Sequence, residues 1–153
     1  ISSFALEKRE IIEKISSAIG SQSVVVTLDY KKNFLTNNYN VFTLNGTKKH
    51  SHNIFNLAKN FQSSGAGEIL FNSIERDGTM MGYDLNFAKK IRAEIDIQIS
   101  FMGGAKDTLD MQNLIDNIGI VGAAAGSIFV FKGKFKAVLL SYQRPNKLEQ
   151  NSK

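Results

Sequence analysis

The run Gly67-Glu68-Ile69-Leu70-Phe71-Asn72-Ser73-Ile74-Glu75-Arg76-Asp77-Gly78 decides how this chain is read. It is a short apolar strand with a charge at its start, ending in Asn-Ser and opening into an acidic, glycine-turned loop. Strands of a parallel sheet present polar site residues at their C-terminal ends in this way. Two later segments end similarly, in Gly103-Gly104 and in Gly126-Ser127. Three strand ends with site chemistry point to one shared pocket.

Outward from that run, strands and helices alternate. Residues 7–20 read as a helix, with Ile11, Ile12, Ile15, Ala18 and Ile19 on one face and Gly20 as its stop. Val24-Val25-Val26-Thr27-Leu28-Asp29 reads as a strand without alternation, the pattern of burial on both faces, and it ends on an aspartate. Residues 30–46 look like a hairpin excursion turned at Asn37-Asn38, with a second strand over 39–44. Then come a helix over 54–64, the strand 68–73, a helix over 84–94 capped by Asp84, a strand over 97–101, a helix over 108–117 capped by Asp107, and a strand over 120–125. Residues 129–142 are apolar and are expected to end helically; residues 144–153 form a polar tail.

This alternation predicts an α/β protein with a parallel sheet and right-handed crossovers. A doubly wound sheet and a (βα)8 barrel both fit. A barrel takes about 250 residues, so this chain would supply about half of one. Ile1-Ser2-Ser3-Phe4-Ala5 reads like a strand end running into a helix, the expectation for a chain whose N-terminal part precedes it. A four-stranded half would leave open sheet edges and an inner face expected to be apolar, so self-association is expected.

The 153 residues, 42% hydrophobic and 22% charged, suit one core and a single domain over 1–153. Without cysteine there is no disulfide or zinc-thiolate framework. No apolar stretch reads as a membrane span or signal peptide, and a cytoplasmic location is expected. The net charge of +5 is scattered over small clusters such as Lys31-Lys32, Lys48-Lys49 and Lys89-Lys90, with no nucleic-acid motif beside them. They read as a solvated surface, or as a rim that draws a phosphorylated small molecule. His50 and His52, with no acidic neighbours, read as surface or capping residues rather than metal ligands, and no cofactor or metal is expected.

Each candidate site residue also has a plainer reading. Gly103-Gly104 and Gly126-Ser127 can offer backbone N–H groups to a phosphate, or be tight turns. Asp29, at a strand end, can act as acid or base, or cap a turn. Asp77 in Arg76-Asp77-Gly78 is first of all a turn residue, although two acids at neighbouring strand ends suit paired acid–base chemistry. Glu68 precedes the apolar part of its strand, so it lies at the opposite end of the sheet, as a surface charge or a functional group there.

The residues together resemble a known family. Val24 to Asp29, Val41-Phe42-Thr43 with Asn45-Gly46, Gly65-Ala66-Gly67-Glu68-Ile69-Leu70, Ser73-Ile74-Glu75-Arg76-Asp77-Gly78-Thr79, Gly82-Tyr83-Asp84, Gly103-Gly104-Ala105 and residues 124–129 follow, in order and over nearly the whole chain, the cyclase subunit family of imidazole glycerol phosphate synthase. The resemblance implies a (βα)8 TIM barrel, of which this chain would be the C-terminal half. Residues 125–134 and 137–142, with Asn72-Ser73, are more similar to a paralogous group associated with surface-polysaccharide (lipopolysaccharide) genes and amidation of sugars than to the histidine-pathway enzymes.

Carried over by position, the resemblance makes Asp29 the catalytic acid/base of this half and Asp77 a substrate-contacting aspartate. Gly103, Gly104, Gly126 and Ser127 take the phosphate site, and Ser2 and Ser3 help hold the substrate's other phosphate. Asn45, Gly46 and Asn72 line the substrate, and Glu68 is a gate where ammonia enters. The implied partner is a glutamine amidotransferase (glutaminase) subunit, and the implied substrate is a phosphorylated small molecule. The implied activity is that of a lyase or cyclase of the complete barrel, with the isolated half inactive. Met102 before the glycine pair, Lys106 after Ala105, Glu75, and the Ser2-Ser3 pair depart from the family pattern and bear on which substrate is used. The competing reading is a half-barrel module that binds phosphate without chemistry.

Overall fold

The computed structural model of the protein describes residues 1–132 and 137–138. The polar tail read over 144–153 lies outside the described residues, as does most of the segment after 132. Helices α1 (Ser3–Glu7) and α2 (Glu10–Ile19) precede β1 (Val25–Lys32), β2 (Tyr39–Thr43), β3 (Lys48–Asn53), α3 (Ile54–Ser63) and β4 (Glu68–Ser73). Then follow α4 (Leu85–Arg92), β5 (Gln98–Met102), α5 (Thr108–Ile118), β6 (Gly122–Ala123) and α6 (Ser127–Val130), with a short antiparallel pair, β7 (Phe131–Lys132) and β8 (Ala137–Val138).

The main sheet has the order β3-β2-β1-β4-β5-β6. Its parallel part, β1-β4-β5-β6, advances in one direction without reversing. A doubly wound sheet reverses its order at a switch point and carries helices on both faces. Here the buried residues of alternate positions, Val26, Leu28, Tyr30, Ile69, Phe71, Ile99 and Phe101, all lie on one face. Phe87 of α4 meets Tyr30 at 4.1 Å, Phe71 at 5.3 Å and Phe101 at 6.4 Å between ring centroids, so the helices cover that face. A one-way parallel sheet alternating with helices is the winding of a partial TIM barrel.

The other face corrects two expectations. Val24 to Leu28 is not buried on both sides: Val25 is 38% exposed and Thr27 half-buried, alternating with fully buried Val26 and Leu28. Nor is the inner face apolar, since Thr27, Asp29, Lys31, Glu68, Asn72, Gln98 and Ser100 stand on it with Leu70 and Met102. The apolar core lies between sheet and helices, so the inner face is free to be polar.

The open edge beside the upper half of β1 is also covered. β2 pairs antiparallel with β1, and β3 with β2. β3 carries Lys48, Lys49, His50 and His52, a polar composition with no strand signal, and suits an edge strand for that reason. Lower down, Ile1 donates its amino group to Val25 O and accepts from Thr27 N, each at 2.7 Å, as a strand end would. The helix read over 7–20 is broken at Lys8-Arg9 into α1 and α2, and the strand read over 120–125 shortens to Gly122–Ala123, with Ile120 89% exposed. Of the segment read over 129–142, Phe129 and Val130 lie in α6 and the chain is extended at Phe131–Lys132 and Ala137–Val138; its end, expected to be helical, lies outside the described residues. The two caps read as helix starts are in place, Asp84 accepting from Phe87 N and Asp107 from Asp110 N, and Asn53, which the sequence reading did not single out, caps α3 by accepting from Phe55 N and Asn56 N.

Candidate functional site

The C-terminal ends of β4, β5 and β6 surround a cleft of about 350 Å³, open mouth included. It is lined by Asp77 and Gly78, by Met102 to Ala105, and by Ala124 to Ser127. The structure thus brings together Asp77, Gly103, Gly104, Gly126 and Ser127. Gly103 and Gly104 both have positive φ, at 92° and 98°, and a Cβ on either would collide with backbone, Ser73 O for the first and Gly82 O for the second. The pair therefore has to be glycine, as both a tight turn and a phosphate cradle require. Among the described residues the amides of Gly104, Gly126 and Ser127 donate to no backbone or side-chain acceptor. Clustered N–H groups without acceptors favour an anion.

A set of hydrogen bonds holds the cleft's walls in place. Arg76 and Asp77 turn back onto Ser73 O at 3.0 Å through their amides. Gly82 N donates to Gly104 O at 2.7 Å, and Arg76 Nη1 donates to Gly82 O at 2.9 Å. Tyr83 Oη donates to Ala124 O at 2.8 Å, tying the β4–α4 loop to the residue that follows β6. Burial and then the Asp110 charge push the Tyr83 hydroxyl well above its usual value, so it stays a donor. Arg76 and Tyr83 are site-shaping residues that the sequence reading left unassigned. The signal for Tyr83 was the Gly82-Tyr83-Asp84 motif itself.

Beside the cleft, Asn72 Nδ2 donates to Asp29 Oδ1 at 2.9 Å. The two residues are direct partners in the β1–β4 ladder, and Asn72 is in turn the partner of Met102, which lines the cleft. Asp29, Asn72 and Met102 therefore form one row across the strand ends, continuous with the cleft. Asn72 is 91% buried by its 9% exposure, and its Oδ1 has no hydrogen-bond partner among the described residues. A carboxylate oriented in this way can accept a proton from a bound molecule.

Asn45 and Gly46, with φ of 55° and 80°, form the β2–β3 turn. A Cβ on Gly46 would meet Ile74 Cδ1 at 2.7 Å, so the turn lies against the end of β4. Lys31, two residues beyond Asp29 on the same face, donates to Gly46 O at 3.4 Å and lies 4.8 Å from the Phe42 ring centre. These residues stand near the row but not in the cleft. Ser2 is exposed and Ser3 half-buried at the start of α1, and neither lines the cleft. Glu68 lies at the other end of the sheet, where its carboxylate accepts a hydrogen bond from Ser100 Oγ. His50 sits in β3, bonded to Thr43 Oγ1 at 2.8 Å through Nε2, and neither caps a helix nor joins a metal cluster; among the described residues no group of three His, Cys, Asp or Glu could hold a metal ion. Among them, too, no helix is long and apolar enough to cross a membrane.

The family model described as Histidine biosynthesis protein matches residues 1–136. The chain is 47% identical over 152 residues to a Leptospira interrogans protein named, provisionally, imidazole glycerol phosphate synthase subunit HisF, covering 99% of this chain and 59% of that one. It is 44% identical over 146 residues to a Vibrio vulnificus (strain YJ016) protein similarly named subunit hisF3, covering 95% and 56%. Over 129 residues it is 39% identical to imidazole glycerol phosphate synthase subunit HisF of Petrotoga mobilis, covering 84% and 51%. The chain spans between half and three-fifths of the length of these curated relatives.

Proposed function

This chain belongs to the histidine biosynthesis protein family, and on that premise we propose that it forms the substrate-handling half of a cyclase subunit of the imidazole glycerol phosphate synthase type. The whole protein takes ammonia from a glutaminase partner at the Glu68 end of the sheet. It adds that nitrogen to an electrophilic carbon of a phosphorylated or nucleotide-linked small molecule at the Asp29 end. The glycine cleft holds a phosphate through Gly103, Gly104, Gly126 and Ser127; Asp77, Asn45 and Gly46 contact the rest of the molecule; and Ser2 and Ser3 help hold its second anionic group. Ammonia's lone pair forms the C–N bond to a carbonyl carbon as the C=O π pair moves onto oxygen, and the proton the nitrogen sheds passes through the Asp29 carboxylate, which Asn72 keeps in place, to that oxygen.

The observation that carries this reading is the row Asp29–Asn72–Met102, which joins an oriented carboxylate to an amide-lined cleft. On the resemblance of residues 125–134 and of Asn72-Ser73, the molecule is a sugar destined for a surface polysaccharide rather than a histidine precursor. The decisive experiment is Asp29→Asn in the full-length protein, assayed for ammonia-dependent turnover. Unchanged turnover would remove Asp29 from the chemistry.

A second reading, a phosphate-binding module without chemistry, is favoured by one observation. The cleft is built within the described residues, whereas no second carboxylate there bonds to Asp29 or to Asn72. Titration with inorganic phosphate, comparing wild type with Gly104→Asp, tests the cleft. Binding without turnover at any ammonia concentration selects the module.

A further inference from the structure

The inner-face residues of the parallel strands stand in levels. Register places Val25, Glu68 and Gln98 on the first, Thr27, Leu70, Ser100 and Gly122 on the second, and Asp29, Asn72 and Met102 on the third. Glu68 does not stay on its own level, because its Oε1 accepts a hydrogen bond from Ser100 Oγ on the second. Room for that hydroxyl exists because Gly122, the β6 partner of Ser100, has no side chain. A Cβ built there would collide with Ser100 Oγ. Glycine inside a strand marks such a close approach. Glu68 and Ser100 are both half-buried, where a hydroxyl bonded to a carboxylate holds it more firmly than in open water.

We propose that Ser100 is a positioning residue that draws the Glu68 carboxylate from the N-terminal end of β4 to the middle of the inner face, with Gly122 keeping the space for it. The charge then stands one level below the Asp29–Asn72 row, on the line that ammonia takes from the partner's side to the substrate. One Glu68 oxygen is occupied by Ser100, which leaves the other to meet ammonia or ammonium. The inference rests on the proposed role of Glu68 as the ammonia gate, and goes beyond it by naming what sets the gate's position.

The experiment uses the full-length protein with its glutaminase partner and compares Ser100→Ala, Gly122→Ala and Glu68→Gln. Turnover is measured once with glutamine and once with added ammonium salt, and thermal unfolding checks that each variant is folded. Ser100→Ala is expected to lower glutamine-dependent turnover about tenfold, the size of a lost hydrogen bond to a charged group, while leaving ammonium-dependent turnover unchanged. Gly122→Ala, which keeps both polar side chains but pushes the hydroxyl away, is expected to do the same. If Glu68→Gln lowers glutamine-dependent turnover and Ser100→Ala does not, Ser100 has no positioning role although the gate stands. Equal loss on glutamine and on ammonium in the Ser100 variant also overturns the inference, since that is the mark of a general structural defect. If Glu68→Gln itself changes nothing, the gate falls and this inference with it.

Discussion

Asn72 and Asp29 face each other across two parallel strands in direct register, and the Asn72 amide donates to the Asp29 carboxylate at 2.9 Å. Because Asn72 is buried, its side chain has few other places to go, and the carboxylate inherits that order. Asn72→Ala is expected to lower turnover of the full-length protein about tenfold or more, as a hydrogen bond to a charged group is lost. The phosphate cleft does not depend on this contact, so phosphate affinity should be unchanged. A parallel loss of phosphate binding, read by 31P NMR titration, would show that Asn72 shapes the cleft instead.

Tyr83 reaches from the β4–α4 loop to Ala124 O on the opposite wall of the cleft. Tyr83→Phe removes one buried hydroxyl and leaves that carbonyl short of a donor, a cost of about 1–3 kcal/mol. Some of this falls on global stability and some on cleft geometry. The expected outcome is a severalfold weaker phosphate affinity by calorimetric titration, with the sheet intact by circular dichroism. Unaltered affinity would mean that the cleft holds its shape without the tether.

The parts of the fold that are local were legible in the sequence. Gly103-Gly104 announces a tight backbone and Asp107 a helix start within a few residues, and Glu68–Ser73 reads as a strand from its own composition. The polar inner face was misread for a specific reason: Val24-Val25-Val26 is apolar throughout, and only the one-sided helix cover decides that Val25 is exposed. β3 was missed because nothing in Lys48 to Asn53 favours a strand on its own; pairing with β2 makes it one. The Tyr83–Ala124 and Ser100–Glu68 contacts join residues 41 and 32 positions apart, and no local pattern encodes such a distance.

Phe87 is the hub of the apolar core. Its ring lies within 6.4 Å of the rings of Tyr30, Tyr39, Phe55, Phe71 and Phe101, and it is fully buried. Phe87→Ala leaves a cavity beneath the strands that carry Asp29 and Asn72 and is expected to destabilise the fold by about 3–5 kcal/mol. Urea unfolding followed by circular dichroism measures this directly. A loss below about 1 kcal/mol would mean that the neighbouring rings close the cavity and that α4 is not the main cover of this face.

His50 gives the β2–β3 hairpin a dependence on pH. Burial, followed by the charges of Lys48 and His52, holds its imidazole below the usual histidine value. The folded state therefore binds a proton less readily than the unfolded chain. The sign follows: the contribution of neutral His50 is fully present above the unfolded value near about 6.5, and it is lost as pH falls through that value towards the lower folded one. Protonation makes both ring nitrogens donors, so the contact of Nε2 with Thr43 Oγ1 at 2.8 Å then requires the hydroxyl to accept. Hydrogen exchange at the amides of Thr43 and His50 should accelerate between about pH 7 and pH 5, after correction for the intrinsic rate, and His50→Gln should flatten that profile. An imidazole NMR titration midpoint for His50 above about 6.5 would contradict the assigned direction.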